Sequence, residues 1–286
     1  RVGRMAFARA LLWSFAFPLL RLAAQRASFH IGSHAIFQRK YNPKQKLPDK
    51  ENLKLSKFAE SLWKLLAYLS FVSIELAVGY GKPWFRNTRL FYKNCYQLPC
   101  LLPRDENLSA VYQMQLGFYI QAAISLFHWE AKRKDRFAMI VHHIATIGLL
   151  VYSDYVNLCP IGLMVLLIHD ICDVFMESAK VCRYCNYEFG TSFFFVLFFL
   201  SWIALRLVIF PLRIIRSTIY ECLDVLWEDI RQTREVVEPH YTIFNVMLLT
   251  LLVLHIYWSY FIARILVRQI QNRGKVEGDV REDDDD

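Results

Sequence analysis

Residues 138–179 read AMIVHHIATIGLLVYSDYV-NLCP-IGLMVLLIHDICDVFMESA, and this stretch decides the fold. Two apolar runs, 138–156 and 161–179, are each close to the ~20 residues that carry a helix across a bilayer. The interval Asn157–Pro160 is too short for anything but a turn, so the two helices must be antiparallel neighbours. Neither run alternates with a period of two, which argues against strands. Both carry ionisable groups: His142 and His143 in the first, His169, Asp170, Asp173 and Glu177 in the second.

Working outward, five further runs have the same character: about Met5–Ala24, Glu60–Val78, Leu108–Trp129, Ser192–Ile215 and Thr242–Val267. Seven runs predict an all-α membrane protein of seven transmembrane helices. The first competes with a signal peptide, but no small-residue cleavage site follows it. The chain begins at Arg1 without Met, so a preceding natural stretch is expected to be missing. Gly79, Gly81 and Pro83 should stop the second helix. The expected division is 1–52 for the first helix and a basic linker, 53–271 for a six-helix domain, and 272–286 for an acidic tail.

Composition agrees. Of 286 residues 55% are hydrophobic and 21% charged, which excludes disordered, collagen-like and disulfide-scaffold chains. The net charge of +8 is read as topological rather than as a nucleic-acid signal, so no nucleic-acid partner is expected. Sorted by side, 20 basic residues fall with the C-terminus and 12 with the N-terminus, which predicts a cytosolic C-terminus and a lumenal N-terminus. Cys95 and Cys100 then lie on a side that permits a local disulfide. The Cys182–Cys185 pair lacks the second ligand pair a zinc site needs, and no metal is expected.

The chemistry concentrates in the opening stretch. An ionised side chain at a helix centre in a bilayer costs about 2.5–3.5 kcal/mol, so each such group needs a partner, a cavity or a function. At 1.5 Å per residue, His142 and His143 lie about 6–8 Å from one end of their helix. On its neighbour, Asp173 lies about 10 Å and Asp170 about 15 Å from the same end. Asp170, Asp173 and Glu177 share one helical face, and the two imidazoles flank a groove centred on Thr146. A carboxylate beside an imidazole fixes its tautomer and stabilises its cation, which suits the imidazole to act as base or nucleophile. A buried polar latch between helices is the other reading. His128 and His255 could join either network. Arg206 fits an ion-pair partner, with anion binding as the alternative. Phe193, Phe194, Phe195, Phe198, Phe199, Trp202, Tyr257, Trp258, Tyr260 and Phe261 could line an acyl-chain tunnel, while lipid-facing packing is expected for most of them. Lys132, Arg133, Lys134 and Arg136 could attract a phosphate-bearing substrate.

The stretch His142-His143 with His169-Asp170-Ile171-Cys172-Asp173 and Glu177 closely resembles the longevity-assurance motif of ceramide synthases, in the TLC-domain membrane family. The resemblance extends to Pro83-Trp84-Phe85, Asn87-Thr88-Arg89, Trp129-Glu130, Ser201-Trp202, Arg206-Leu207, His255-Ile256-Tyr257-Trp258 and Asn272-Arg273-Gly274-Lys275. It is greatest for the plant members. It implies an endoplasmic-reticulum enzyme that moves a fatty acyl group from acyl-CoA to the amine of a sphingoid base, in a chamber enclosed by the last six helices. Carried over, the catalytic residues are His142, His143, Asp170 and Asp173, with His142 as the preferred nucleophile. His169, Glu177, Trp202, Arg206, His255 and Trp258 are the expected substrate-binding residues. Acyl-CoA is a substrate and no cofactor is expected; membrane lipids and a homo- or hetero-dimer complete the expected partners. A TLC protein that only binds or presents lipid is the alternative. The tail Glu282–Asp286 lacks the serines of many relatives, which argues against phosphorylation there. Arg213–Tyr241 is the candidate selector of chain length.

Overall fold

The computed structural model describes residues 2–44, 47–95, 98–101, 103–128, 135–224 and 234–271. All regular structure among them is helical. The long helices are α1 (Val2–Phe37), α2 (Asp49–Gly79), α3 (Glu106–His128), α4 (Arg136–Val156), α5 (Cys159–Tyr184), α6 (Glu188–Ser201) and α7 (Arg234–Gln271). Beyond Ser201, α6 continues without a break but widens to a π-helix over Trp202–Ile215 and again over Ser217–Glu221. Pro211, which has no backbone N–H to donate, lies inside the wide stretch.

Most of the helices overrun the apolar runs that define them. α1 continues 13 residues past Ala24, and α2 starts at Asp49 rather than Glu60, so much of the expected basic linker is helical. Lys and Glu are good helix formers and bring no apolar requirement, so a helix can continue past the hydrocarbon boundary. The break at Asn157 forms as expected. Asn157 adopts the left-handed conformation (φ 60°) that closes a helix, and Pro160 enters the first turn of α5, where its missing N–H costs nothing. α2 ends at Gly79, followed by short 3-10 turns at Pro83–Phe85 and Thr88–Phe91.

Five helices among the described residues are long and apolar enough to cross a membrane: α2, α4, α5, α6 with its continuation to Asp224, and α7. Large apolar side chains such as Phe15, Ile144, Phe189 and Val253 are exposed, as a lipid-facing surface requires. This is a multi-pass helical membrane protein. α5 is the most enclosed of these five, packed against α2, α3, α4, α6 and the π-helical stretch, so the helix that carries the Asp stripe is central.

At the end of the bundle where α4 turns into α5, a polar and covalent brace joins the segments. Cys95 and Cys100 form a disulfide. The Cys100 N–H donates to Val156 O and the Asn157 side-chain amide donates to Cys100 O (3.0 and 3.1 Å), which docks the disulfide loop on the turn. Arg104 grips Asp154 through both its carboxylate and its carbonyl. Thr88 donates to Glu221, which also receives Arg216.

Candidate active site

A cavity of about 230 Å³ opens toward the opposite end of the bundle. His142 and His143 from α4 and Asp173 from α5 all line it, so the structure brings together three of the four residues expected to be catalytic. The imidazoles of His142 and His143 lie 5.6 Å apart between ring centres, and His142 sits edge-on to Trp258 at 5.5 Å. The Trp258 indole is fixed by a hydrogen bond to Asp135 (3.0 Å). His142 Nδ1 has no hydrogen-bond partner.

Asp173 is paired with Arg206 (2.7 Å). The same guanidinium donates to the His169 carbonyl (2.9 Å) and lies over the Trp202 ring at 4.4 Å. Arg206 is thus the ion-pair partner that one reading of the sequence expected, and its pairing holds Asp173 against the cavity wall. Glu177 lines the same cavity and accepts from Lys180 at 2.8 Å. Of the expected tunnel aromatics, Phe195, Phe198, Trp202, Trp258 and Phe261 line the cavity, whereas Phe193, Tyr257 and Tyr260 are exposed on the outer surface.

Asp170 does not line the cavity. It is completely buried one turn further along α5 and accepts from Gln115 of α3 at 2.7 Å. Gln115 also donates to Glu75 of α2 at 2.7 Å. Neither Glu75 nor Gln115 was among the expected site residues. The signal was available, because Glu75 is a carboxylate inside an apolar run and incurs the same cost as Asp170. Its partners are remote in sequence, and no periodicity connects them.

His169 and His255 meet each other. Their Nε2 atoms are 2.9 Å apart, and His169 Nδ1 lies 2.6 Å from Val165 O. A carbonyl only accepts, so His169 donates from Nδ1 and its Nε2 must accept from His255. That fixes both tautomers and leaves the His255 Nδ1 lone pair without a partner.

A second, smaller apolar cavity of about 40 Å³ shares Tyr119 and His142 with the first and is also lined by Thr146, Val165, His169 and Leu248. A third, of about 20 Å³, lies toward the disulfide and shares Ile161 and Phe244 with the second. Around the wide cavity's mouth stand Arg21, Lys64, Lys180 and Arg183. Arg21 comes from α1 and donates to Ser125 at 3.3 Å. Lys132, Arg133, Lys134, Trp129, Glu130 and the tail from Asn272 lie outside the described residues.

The arrangement offers an unencumbered imidazole at the junction of a broad, cation-rimmed cavity and a narrow apolar one. Comparison with known proteins agrees with that geometry. Residues 57–264 match the TLC domain family. Ceramide synthase LOH2 of Arabidopsis thaliana is 40% identical, over 98% of this chain and 93% of its own length. Ceramide synthase LOH1 of the same plant is 37% identical over 95% and 88%, and ceramide synthase 5 of Homo sapiens is 34% identical over 80% and 55%. The chain belongs to the TLC domain family, among its ceramide synthases.

Proposed function

We propose that this protein is an acyl-CoA-dependent sphingoid-base N-acyltransferase that makes ceramide. The observation that carries the reading is the position of His142 where the cation-rimmed cavity meets the apolar one. A coenzyme A thioester has those two parts, a polyanionic head and an apolar chain, joined at the reacting carbonyl. In this reading the phosphates sit near Arg21, Lys64, Lys180 and Arg183, and the acyl chain runs past Thr146 toward Ile161 and Phe244.

His142 attacks the thioester carbonyl through a ring nitrogen, and the C–S bond breaks. The coenzyme A thiolate leaves and takes the imidazolium proton. The amine of the sphingoid base then attacks the acyl-imidazole, the amide C–N bond forms as the acyl–nitrogen bond breaks, and His143 passes the amine's proton to the departing His142 nitrogen, restoring neutral His142. Asp173, held by Arg206, supports the positive charge that develops on the imidazoles. Asp170 acts from behind it. Trp258 and Trp202 shape the wall, and Glu177, His169 and His255 orient the groups around it. Acyl-CoA enters as substrate and no cofactor takes part.

The protein is placed in the endoplasmic-reticulum membrane with all seven helices spanning, the N-terminus lumenal and the C-terminus cytosolic. The last six helices enclose the chamber with Arg21 of α1 at its mouth, and the proposed division falls near residues 52 and 271. Membrane lipids, and a second copy or a relative in a dimer, are its further partners. The connection Arg213–Tyr241, partly outside the described residues, supplies Thr218, Cys222, Val237, His240 and Tyr241 to the lining of the third cavity and selects chain length. Exchanging it with that of a relative of different chain preference should alter the product profile, and an unaltered profile moves the selector to Ile161 and Phe244.

The deciding experiment gives purified protein in lipid an acyl-CoA and sphinganine. Ceramide formation is expected, and its failure in active-relative controls favours a protein that only binds lipid. Omitting the amine and quenching rapidly should trap an acyl group on His142 by mass spectrometry. Turnover without any adduct replaces the covalent route by a direct attack with His142 as general base.

A further inference from the structure

The Glu75–Gln115–Asp170 cluster lies outside the cavity and takes no direct part in the transfer. All three side chains are completely buried, each from a different helix, α2, α3 and α5. A single nitrogen, Gln115 Nε2, is 2.7 Å from Glu75 Oε1 and 2.7 Å from Asp170 Oδ2, so it brings the two carboxyl groups together. Yet Glu75 Oε2 and Asp170 Oδ1 each lack a donor. Two ionised carboxylates only accept, so neither could satisfy the other. Two like charges this close in a dry interior cannot both persist.

We propose that Glu75 and Asp170 share one proton and form an acid–carboxylate clamp that locks α2 and α3 onto α5, making Glu75 a positioning residue for the active site. The proton supplies the missing donor: one carboxyl donates O–H to the other, and Gln115 donates an N–H to each. The pair then carries one negative charge instead of two. Asp173 lies three residues from Asp170, so the clamp sets the rotation of α5 that turns Asp173 to the cavity while Asp170 faces Gln115 of α3. Among the described residues, the charged groups that follow Asp170 along the same face of α5 are Asp173, paired with Arg206, and Glu177, paired with Lys180.

The activity arm of the test rests on the acyltransferase reading, but the spectroscopic arm does not. Infrared spectroscopy of the full chain in lipid should show the carbonyl stretch of a protonated carboxyl at neutral pH, shifting in D2O. Glu75→Gln should remove that band, because the new amide donates to Asp170 in the proton's place. The same variant should keep most of the ceramide synthesis, whereas Glu75→Leu, which supplies no donor, should lower it by about tenfold or more per folded molecule. A spectrum without the band overturns the shared proton, including the case of a metal cation between two ionised carboxylates. A band that survives Glu75→Gln overturns the assignment to this pair. Equal activity of the Gln and Leu variants overturns the positioning role. If no variant or parent makes ceramide, the acyltransferase reading has failed and the infrared result alone decides the clamp.

Discussion

The two ends of the bundle handle buried polar groups in opposite ways. Near the disulfide, polar side chains have partners in protein: Arg104 with Asp154, Thr88 and Arg216 with Glu221, Asn157 with Cys100 O, Tyr112 with Cys159 O, and Thr218 with Asn245. Around the cavity, among the described residues, His142 Nδ1, Thr146 Oγ1, Glu177 Oε2, Arg206 Nε and His255 Nδ1 are buried and unbonded. Polar atoms without a protein partner beside a cavity can bond substrate or water, so the chain uses its polar groups within protein at one end and keeps them for a ligand at the other. The difference separates a brace from a working site, and mutations at the two ends should separate activity from stability.

The largest effect should come from the cavity end. His142→Ala removes the proposed nucleophile and should lower ceramide formation by about three orders of magnitude or more, the scale on which catalytic residues act elsewhere. His142 Nδ1 has no bond to lose, so thermal stability in detergent should stay close to the parent's. A variant that unfolds early while keeping specific activity would place His142 in the brace instead.

Next come the two aspartates, which geometry divides although the sequence treats them alike. Asp173→Asn removes the counter-ion of Arg206, a residue only 4% exposed. Breaking such a buried pair costs about 3–5 kcal/mol, so both activity and stability should fall. Asp170→Asn keeps an acceptor for Gln115 and offers Glu75 an amide donor, so it should fold well and lose less activity than Asp173→Asn. Paired thermal-shift and single-turnover measurements check the order. The reverse order would put Asp170, and not Asp173, beside the reacting imidazole.

That division marks the limit of what the sequence discloses. The helices were legible because about 20 apolar residues in a row have few other uses, and the placing of His142 and Asp173 on one cavity followed from rise per residue and a short turn. The direction of Asp170 was not, because the 100° step places Asp170 and Asp173 on one broad face but cannot say that a boundary between cavity and core runs between them. That boundary is drawn by Glu75 and Gln115, 95 and 55 residues from Asp170. Helix ends were also hidden, since hydropathy stops at the hydrocarbon edge while backbone hydrogen bonding continues. The widening of α6 beyond Ser201 leaves no periodic signature apart from Pro211.

The brace end should respond in the opposite sense. Cys95→Ser with Cys100→Ser opens a short covalent loop, and the chain-entropy scale for so small a loop gives about 2 kcal/mol of lost stability. Ceramide formed per folded molecule should not change, because the disulfide lies at the far end from His142. The check is a thermal melt with and without reductant beside an activity assay on the surviving fold. Lost turnover in a fully folded variant would join the two ends into one functional unit.

The smallest effect is expected at Asp105, where the brace meets the start of α3. Its Oδ1 accepts from the Asn107 and Leu108 N–H groups at 3.0 and 3.3 Å, which caps the helix, and its Oδ2 receives Lys82 at 2.8 Å. The Lys82 hydrogen bond is the main reason the Asp105 carboxyl is held below its ordinary range; burial opposes this, and the backbone donors add to it. A carboxyl depressed in the folded state stabilises it fully above the unfolded pKa of about 3.9, and that contribution disappears as pH falls through the lower, folded value. Asp105→Asn keeps the cap and loses only a half-exposed ion pair, so its melting temperature should match the parent's closely at pH 7. Asp105→Ala loses the cap as well and should cost about 1 kcal/mol. Below about pH 4 the parent should approach the Asn variant, because protonation removes the same charge. If Asn and Ala are equally destabilised at neutral pH, the ion pair with Lys82 outweighs the cap, and the brace depends on charge more than on hydrogen-bond geometry.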